Sequence, residues 1–444
     1  MTQITAEKTS VAEIGRRARA ASLEMSKLSH DVRNDALLAI AHALEAASEK
    51  ILGANQKDCR AAEPLVATGK LSSAMFARLK VDEKGIRELA MRVRDVVRLP
   101  DPLGRRLAVT ELDEGLTLYK ETCPLGVIGI VFEARPDVVP QVASLTLKSG
   151  NAVILKGGSE AAFTNEALVT VWREALRNFH AVPEDSIQLL HTRADVMELL
   201  TLSHDVDLIV PRGSKELVEH VMQNSRIPVL GHGEGICHVY VDRAADMEKA
   251  VRVTLDSKVQ NPSVCNAAET LLVDEKIAGE FLPKVAHELQ EANVQIRGCA
   301  KSLAILGRSI AVPAQEQDWS TEYCDLILSV KVVRDAEEAI AHVNRFGSRH
   351  TDTIVTEDMG TAKKFLDEVD SAGVFVNAST RFSDGFRYGL GAEIGISNGK
   401  LHARGPVGLE GLTTYKYKLI GNGHIVGEYS SGAKHFKHRQ LPIS

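Results

Sequence analysis

The stretch LGVIGIVF, residues 125–132, is apolar along its whole length and decides the fold class. A strand that is buried on both faces has this pattern, because helices cover both sides of a parallel sheet. A helical pattern follows over 138–149, and NAVILK then predicts a second strand that ends at Lys156. Two more strands, at 187–190 and 207–210, are each followed by a predicted helix. This alternation indicates βαβ units around one parallel sheet.

A second series of strands and helices begins near residue 237. Its five predicted strands lie at 237–241, 270–273, 325–333, 352–355 and 373–377. Asp335 is suited to capping the helix that follows the third of these strands. Amphipathic helices are predicted over 5–95. The fold class is therefore α/β, with two tandem Rossmann-like units after a helical N-terminal region.

Two alternating segments stand outside these units. Residues 107–122 alternate around an Asp-Glu-Gly turn at 113–115 and predict a β-hairpin. The segment TTYKYKLI, residues 413–420, also alternates, and we expect this strand to pair with another subunit. The basic tail over 431–444 is expected to be flexible.

The composition of the chain limits its possible partners. Its 444 residues carry a net charge of −6, which disfavours a nucleic-acid partner. No segment approaches the roughly 18 apolar residues of a membrane span, and the N-terminal stretch MTQITAEKTS lacks the apolar core of a signal peptide. The six cysteines are scattered without a C-x-x-C pair. We therefore expect neither disulfides nor structural zinc, and a cytoplasmic protein.

The stretch QNPSVCNAAET, residues 260–270, surrounds Cys265 with small and turn-forming residues. Small neighbours leave room for a ligand at the sulfur, and a position at the start of a helix would stabilise the thiolate. Such a cysteine is a candidate nucleophile. The alternative is that Cys265 is a small core residue, which is the usual role of a single cysteine.

Two strand-to-helix turns contain glycine, a hydroxyl group and a cation. A helix that begins at such a turn favours bound anions, such as the phosphates of a nucleotide. The chain has no G-x-G-x-x-G motif, so these turns are the candidates for dinucleotide binding. Alternatively, they are ordinary connections between strands and helices. The candidate residues are Lys156, Gly157 and Ser159 in LKGGSE, and Arg212, Gly213 and Ser214 in VPRGSKE.

Two further motifs carry ionisable groups. HGEGICH, residues 232–238, places His232 near Glu234, but a zinc site of the deaminase type also needs P-C-x-x-C, which the chain lacks. We therefore predict no metal site, and instead a glycine-rich link between the two units. FEARPDV, residues 132–138, places Arg135 at the end of a strand. There Arg135 either binds a carboxylate or phosphate, or forms a surface ion pair.

The motifs together resemble the aldehyde dehydrogenase superfamily over nearly the whole chain. The matching segments are CPLGVIGIVFEARPDV, LKGGSEA, DLIVPRGS, HGEGICHVYVD, QNPSVCNAAETLLV, RHTDTIVTED and GLGAEIGISNGKLHARGPVGLEGLTTYKY. The resemblance implies a cofactor-binding domain over 1–106 and 123–233 and a catalytic domain over 234–409. It also implies a small β oligomerisation flap from 107–122 and 410–430, and hence a homo-oligomer, either a dimer or a tetramer.

The resemblance also assigns roles to single residues. Cys265 is the implied nucleophile, Lys156 matches the lysine at the adenosine ribose, and Glu322 matches the glutamate at the nicotinamide ribose. Residues 213–214 match the turn at the pyrophosphate. Ser159 stands where members that prefer NAD often have a glutamate. Because a serine does not repel a ribose 2′-phosphate, NADP(H) is the implied cofactor.

Two positions depart from the superfamily pattern. Gly231 stands where a glutamate activates hydrolytic water, and Ala134 stands where a side-chain amide helps to form the oxyanion hole. The absence of the glutamate at Gly231 suits a thioester that reacts with hydride or phosphate rather than with water. For the oxyanion, the remaining candidate donors are the Cys265 backbone N–H and the side chain of Asn266 or Asn261.

The branch of the superfamily that these motifs match implies a particular reaction. It is the NADPH-dependent reduction of L-glutamyl 5-phosphate to L-glutamate 5-semialdehyde and phosphate, the second step of proline biosynthesis. Candidate substrate-binding residues are Arg135, Asn261 and Arg381, and a hand-over of substrate from glutamate 5-kinase is plausible. One alternative is a hydrolytic NAD(P)-dependent aldehyde dehydrogenase that uses the displaced Glu234 as a base. Another is a non-catalytic scaffold protein.

Overall fold

The computed structural model describes residues 9–133, 135–231 and 233–443. The chain folds into two compact units. Unit 1 comprises Met1–Leu230, Leu390–Gly395 and Val407–Ser444, and unit 2 comprises Gly231–Gly389 and Ile396–Pro406. The sequence analysis places the first division after residue 233, and the fold places it after Leu230.

Five helices open unit 1. They are α1 (Val11–Met25), α2 (His30–Ala46), α3 (Ser48–Ala67), α4 (Ser73–Leu79) and α5 (Glu83–Val97). A serine side chain accepts a backbone N–H at the start of α1, α2 and α4, and Asp82 does so for α5. Leu37, Ile40 and Leu44 of α2 are fully buried. The helix therefore packs through the apolar face that its periodicity predicts.

A hairpin and a parallel sheet follow in unit 1. Strands β1 (Arg106–Asp113) and β2 (Leu116–Pro124) form the predicted hairpin, and Gly115 supplies the positive φ of 72° at its turn. The next elements are β3 (Val127–Phe132), α6 (Val138–Lys148), β4 (Ala152–Lys156), α7 (Ala162–Phe179), β5 (Ile187–Leu189), α8 (Arg193–Leu199), β6 (Leu208–Arg212) and α9 (Lys215–Asn224). The strands pair in parallel in the order β5-β4-β3-β6. Every residue of β3 is buried, which confirms the prediction from its apolar sequence.

Unit 2 contains a second parallel sheet. Its elements are β7 (Cys237–Val241), α10 (Met247–Val259), β8 (Ala268–Asp274), α11 (Glu275–Glu291), β9 (Gln295–Gly298), α12 (Ala300–Leu306), β10 (Ala311–Pro313), β11 (Ile327–Val333), α13 (Ala336–Phe346), β12 (Thr351–Val355), α14 (Met359–Glu368) and β13 (Gly373–Val376). The strand order is β10-β9-β11-β8-β7-β12-β13. Asp335 caps α13 by accepting the Glu338 N–H at 3.0 Å, as predicted. Strands β9 and β10 are additional to the prediction.

The C-terminal segment corrects one expectation. It contains β14 (Gly395–Ser397), β15 (Gly405–Val407), β16 (Thr413–Ile420), α15 (Val426–Ser430) and β17 (Arg439–Leu441). Strand β16 pairs antiparallel with β2 of its own chain and lies at the edge of the sheet. Its pairing with another subunit stays a prediction. The tail over 431–444, which we expected to be flexible, contains β17, and this strand pairs antiparallel with β1. The sheet order is thus β16-β2-β1-β17.

The tail is fixed by side chains as well as by strand pairing. Arg439 forms an ion pair with Glu111 at 2.8 Å, and the Thr110 hydroxyl donates to the side chain of Gln440 at 3.2 Å. Among the residues that the structure describes, no helix combines the length and the apolar character needed to cross a membrane.

The pairing of β17 predicts slow hydrogen exchange in the tail. In the full-length protein, the amides of Arg439–Leu441 should exchange at least about tenfold more slowly than those of an unstructured peptide, because pairing with β1 restrains them. Hydrogen–deuterium exchange followed by mass spectrometry measures this directly. Exchange at the unstructured rate would restore the expectation of a flexible tail.

Candidate active site

Cys265 lies in a turn between α10 and β8 of unit 2. Helix α10 ends at Val259 and β8 begins at Ala268, so Cys265 follows the C-terminal end of one helix and does not begin another. A helix N-terminus therefore does not stabilise its thiolate, contrary to the possibility raised from the sequence. The side chain is partly exposed. Gly235 passes so close that a Cβ atom there would lie 1.9 Å from the Cys265 carbonyl oxygen.

The sulfur of Cys265 contacts a histidine that sequence reasoning did not select. His350 Nε2 lies 3.2 Å from Cys265 Sγ, within hydrogen-bond distance for sulfur. The other ring nitrogen, Nδ1, lies 2.9 Å from the Thr351 hydroxyl, and His350 is only 1% exposed. The sequence offered only a weak signal, since His350 lies two residues before a predicted strand. The two residues are separated by 85 positions in the chain.

The two asparagines near Cys265 stabilise its loop. The Asn266 amide nitrogen donates to the Ser383 carbonyl at 2.8 Å, and the Asn266 carbonyl accepts the Thr380 hydroxyl at 2.7 Å. Its side-chain oxygen is buried without a hydrogen-bond partner among the described residues. The Asn261 side-chain oxygen accepts the Ser263 hydroxyl at 3.0 Å. The Asn266 amide is thus already engaged, so its proposed role as an oxyanion donor would require a change in this contact.

Two arginines provide positive charge near the cysteine. Arg381 is 8% exposed, and its Nε donates to the Gln260 side chain at 2.9 Å. Burial lowers the pKa of the Arg381 guanidinium, and the nearby Arg387 lowers it further, while the Cys265 thiolate and Asp384 act in the opposite direction. The Arg387 guanidinium donates to the Arg381 carbonyl at 2.5 Å. A partly buried pair of like charges next to a nucleophile favours an anionic ligand.

A buried ion pair supports the loop that carries Glu322. Lys258 on α10 and Glu269 on β8 are almost fully buried, and their charged atoms lie 2.6 Å apart. Burial raises the pKa of Glu269 to about 7, while the Lys258 ammonium limits that rise. Glu269 also accepts the Cys324 backbone N–H at 3.3 Å. The negative charge of Glu322 also raises the pKa of the Glu269 carboxyl, so the structure places Glu322 beside this pair.

Lys156 and its neighbours form a turn in unit 1. Lys156 ends β4 and is 8% exposed. Burial lowers the pKa of its ammonium, Glu160 opposes this shift, and Arg193 adds to it. Gly157 allows the backbone to pass close to the Asn165 side chain, because a Cβ atom at this position would lie 2.1 Å from the Asn165 amide nitrogen. Ser159 begins a short 3₁₀ turn before α7.

The second turn of unit 1 is engaged by a carboxylate of the same chain. Ser214 caps α9, and its backbone N–H donates to the Glu133 carboxylate at 2.8 Å. A Cβ atom at Gly213 would lie 2.4 Å from this carboxylate. Arg212 ends β6 and contacts the Gln141 side chain at 3.5 Å. The N-terminus of α9 therefore contacts a carboxylate of its own chain. Its binding of a dinucleotide phosphate stays a prediction.

Several remaining predictions concern charged residues. Arg135 pairs with Asp137 at 3.7 Å, and both side chains are partly exposed, which is the surface ion pair considered from the sequence. His232 and Ala134 lie outside the described residues. Across the described ranges, no group of three or more His, Cys, Asp or Glu residues could hold a metal ion.

Comparisons with known proteins agree with this architecture of two parallel sheets and a cysteine loop. The sequence pattern of the aldehyde dehydrogenase family matches residues 1–297 and 310–392. The chain belongs to this family of oxidoreductases. Membership implies a nicotinamide cofactor.

Individual relatives narrow the assignment. The chain is 54% identical over 423 residues to a gamma-glutamyl phosphate reductase of Synechococcus sp. (strain JA-3-3Ab), with 95% of this chain and 92% of the relative covered. The corresponding protein of Cyanothece sp. (strain PCC 7425 / ATCC 29141) is 52% identical over 439 residues, with 99% and 100% covered. The crystal structure of gamma-glutamyl phosphate reductase from Thermotoga maritima superposes with a TM-score of 0.91 at 41% identity, and covers 94% of this chain and 100% of that one. Within the family, the chain stands among the gamma-glutamyl phosphate reductases.

The buried ion pair predicts a pH-dependent loss of stability. Lys258→Met should lower the free energy of unfolding by about 3–5 kcal/mol, because it leaves Glu269 buried without its counter-ion. Burial raises the pKa of Glu269 in the folded protein to about 7. The protonated carboxyl therefore stabilises the fold fully below the pKa of Glu269 in the unfolded chain, and this stabilisation is lost as the pH rises through about 7. The loss in the variant should therefore be larger at about pH 8 than at about pH 6. Urea denaturation followed by circular dichroism at both pH values measures it.

The matched control is Lys284→Met, which removes an exposed partner of Glu280 on α11. This change should alter the free energy of unfolding by at most about 0.5 kcal/mol. Equal losses in the two variants would contradict the assignment of Lys258 as an essential counter-ion.

Proposed function

We propose that this protein reduces L-glutamyl 5-phosphate to L-glutamate 5-semialdehyde and phosphate, with NADPH as reductant and a thioester on Cys265 as intermediate. The reaction would be the second step of proline biosynthesis from glutamate. The observation that carries the proposal is the surrounding of Cys265: a histidine at 3.2 Å from its sulfur and the buried Arg381 close by. The printed names of the relatives support the same reaction.

The residues of the chain can perform the covalent steps in order. The Cys265 thiolate attacks the acyl carbon, and phosphate departs, which divides one difficult reaction into two easier ones. Arg381 and Arg387 supply positive charge for the anionic ends of the substrate. Asn261 and Arg135 remain proposed substrate-binding residues. The Cys265 backbone N–H is the proposed donor to the developing oxyanion, together with Asn261 or, after rearrangement, Asn266.

The proposed cofactor residues fit a phosphate-bearing dinucleotide. Lys156 is a nearly buried cation at the end of β4, and the negative charge of Glu160 partly opposes the effect of burial on its pKa. The α9 N-terminus already holds an anionic group at Ser214, and Gly213 makes the space for it. Gly157, Ser159 and Arg212 complete the two turns, and Glu322 is proposed to hold the nicotinamide ribose. When bound, NADPH supplies the hydride.

The absence of a water-activating group distinguishes this proposal from its alternative. Gly231 occupies the position of the hydrolytic glutamate that the superfamily pattern implies. Because this glutamate is missing, we expect a thioester on Cys265 to persist until it is reduced or attacked by phosphate. The Glu234 backbone carbonyl accepts the Asn398 amide at 3.3 Å, which fixes the main chain of this loop. We therefore favour the reductase over a hydrolytic dehydrogenase.

Assembly and substrate delivery are part of the proposal. The sheet formed by β16, β2, β1 and β17 is the proposed oligomerisation flap of a homo-dimer or homo-tetramer. Because an acyl phosphate of glutamate cyclises readily, direct delivery from glutamate 5-kinase would protect it. We place these steps in the cytoplasm.

Reversal of the reaction tests the proposed function. With glutamate semialdehyde and NADP⁺, NADPH formation should require inorganic phosphate, because phosphate rather than water resolves the thioester. Cys265→Ser should lower the rate by about 10³-fold or more, while NADPH binding is retained. Cys59→Ser changes a partly exposed cysteine on α3 of unit 1 and serves as the control with near-normal rate. Equal rates with and without phosphate would establish a hydrolytic aldehyde dehydrogenase instead.

The Glu133 contact predicts a change in cofactor affinity. In Glu133→Gln, NADPH should bind about two- to fivefold more tightly, because a negative charge at a helix N-terminus contributes about 0.3–1 kcal/mol and would compete with the cofactor phosphates. Isothermal titration calorimetry gives the dissociation constant. Glu219→Gln, on the exposed part of α9, is the control and should leave affinity unchanged. Weaker binding in Glu133→Gln would show that the carboxylate helps to hold the cofactor.

A further inference from the structure

We propose that His350 is the acid–base partner of the Cys265 thiol, accepting the thiol proton before the attack and protonating the thiolate again at the end of the cycle. This inference deepens the proposed function and rests on it for the identity of the substrate. It begins from the 3.2 Å contact between His350 Nε2 and Cys265 Sγ. A thiolate, and not a thiol, is the nucleophile, so a base at this distance has a defined task.

The environment of His350 holds both ring nitrogens in useful positions. The backbone enters β12 through Arg349, which has a positive φ of 62°, and His350 follows directly with 1% of its surface exposed. Nδ1 lies 2.9 Å from the hydroxyl of Thr351, which is fully buried. A hydroxyl can donate to a neutral Nδ1 or accept from a protonated one. The ring therefore keeps its orientation and its partner in the neutral and in the charged state.

Two buried carboxylates on the strands of this sheet have other partners. Asp352 on β12 binds the His238 ring at 2.8 Å and accepts the Ser371 hydroxyl at 2.5 Å. Glu269 on β8 is paired with Lys258. These carboxylates are committed to buried contacts, so they are poor bases for the thiol.

A second cysteine and a cation complete this environment. Burial raises the pKa of Cys237 well above its usual value, and its thiol donates to the Cys265 carbonyl at 3.3 Å. Arg381 contributes positive charge, which favours a thiolate but cannot accept its proton. Among the described contacts of the Cys265 sulfur, His350 is thus the group that can both take and give a proton.

The proton balance of the reaction fits one carrier. The thiol proton moves to His350 Nε2, and the thiolate forms a C–S bond to the acyl carbon as the C–O bond to phosphate breaks. The imidazolium then passes its proton to the departing phosphate. Once the thioester has been reduced by the hydride of NADPH, the C–S bond breaks, the oxyanion becomes the aldehyde carbonyl, and the thiolate is restored. His350 then delivers one proton from water to the thiolate and regenerates the thiol. This is the one proton that the net reduction consumes.

The test is the pH dependence of Cys265 alkylation by iodoacetamide, followed for the Cys265 peptide by mass spectrometry. In the unmodified protein, the rate should reach half its maximum at least about one pH unit below the value near 8.5 of a free cysteine. In His350→Gln, this midpoint should move up by about one unit or more, and kcat should fall by about 10²–10⁴-fold. The KM for NADPH should stay within about twofold, since His350 acts on the thiol.

His287→Gln is the matched control, because His287 is an exposed histidine on α11 of the same unit. It should change neither the alkylation midpoint nor kcat. An unchanged alkylation midpoint in folded His350→Gln would overturn the proposal. If that variant does not fold, the unmodified protein still decides the matter, since a midpoint at or above about 8.5 would overturn it too.

The outcome is separable from the proposed function. A shifted midpoint together with phosphate-independent turnover would support the histidine and reject the reductase. Phosphate-dependent turnover with an unshifted midpoint would do the reverse.

Discussion

A buried contact between neighbouring strands positions the candidate active site of unit 2. Asp352 on β12 accepts the backbone N–H of His238 on β7 and also contacts its ring, each at 2.8 Å, and both residues are fully buried. This contact reinforces the parallel register in which Asp352 lies opposite His238. His350 lies two residues before Asp352 in the chain. A shift of one residue in this register would turn every side chain of β12 to the other face, and would move His350 away from Cys265.

The two sheets present their functional residues at opposite strand ends. In unit 1, Glu133, Lys156 and Arg212 stand at the carboxyl ends of β3, β4 and β6, where open α/β sheets bind ligands. In unit 2, Cys265 and His350 precede β8 and β12, at the amino ends of their strands. Since β8, β7 and β12 are adjacent and parallel, their amino ends meet at one edge. Parallel pairing therefore brings together residues that are far apart in the sequence.

The sequence predicts those parts of the structure that depend on local patterns. The apolar run of β3, the cap at Asp335 and the turn before β8 follow from composition and spacing within a few residues. Strands β9 and β10 were missed because they are short and β10 ends in a proline, which weakens a strand pattern. Strand β17 has three residues and is stabilised by β1, which lies far away in the chain. His350 was missed for the same reason, because its role depends on a pairing between strands.

The electrostatic surroundings of Cys265 support the proposed acyl phosphate substrate. A hydrolytic enzyme needs a carboxylate that can accept a proton from water near the thioester. Here Glu269 and Asp352 are engaged in buried pairs with Lys258 and His238, respectively. Arg381 carries a positive charge close to Cys265, and its burial favours an anionic ligand. The positive charge of Arg381 would stabilise the Cys265 thiolate and, in the proposed reaction, the departing phosphate.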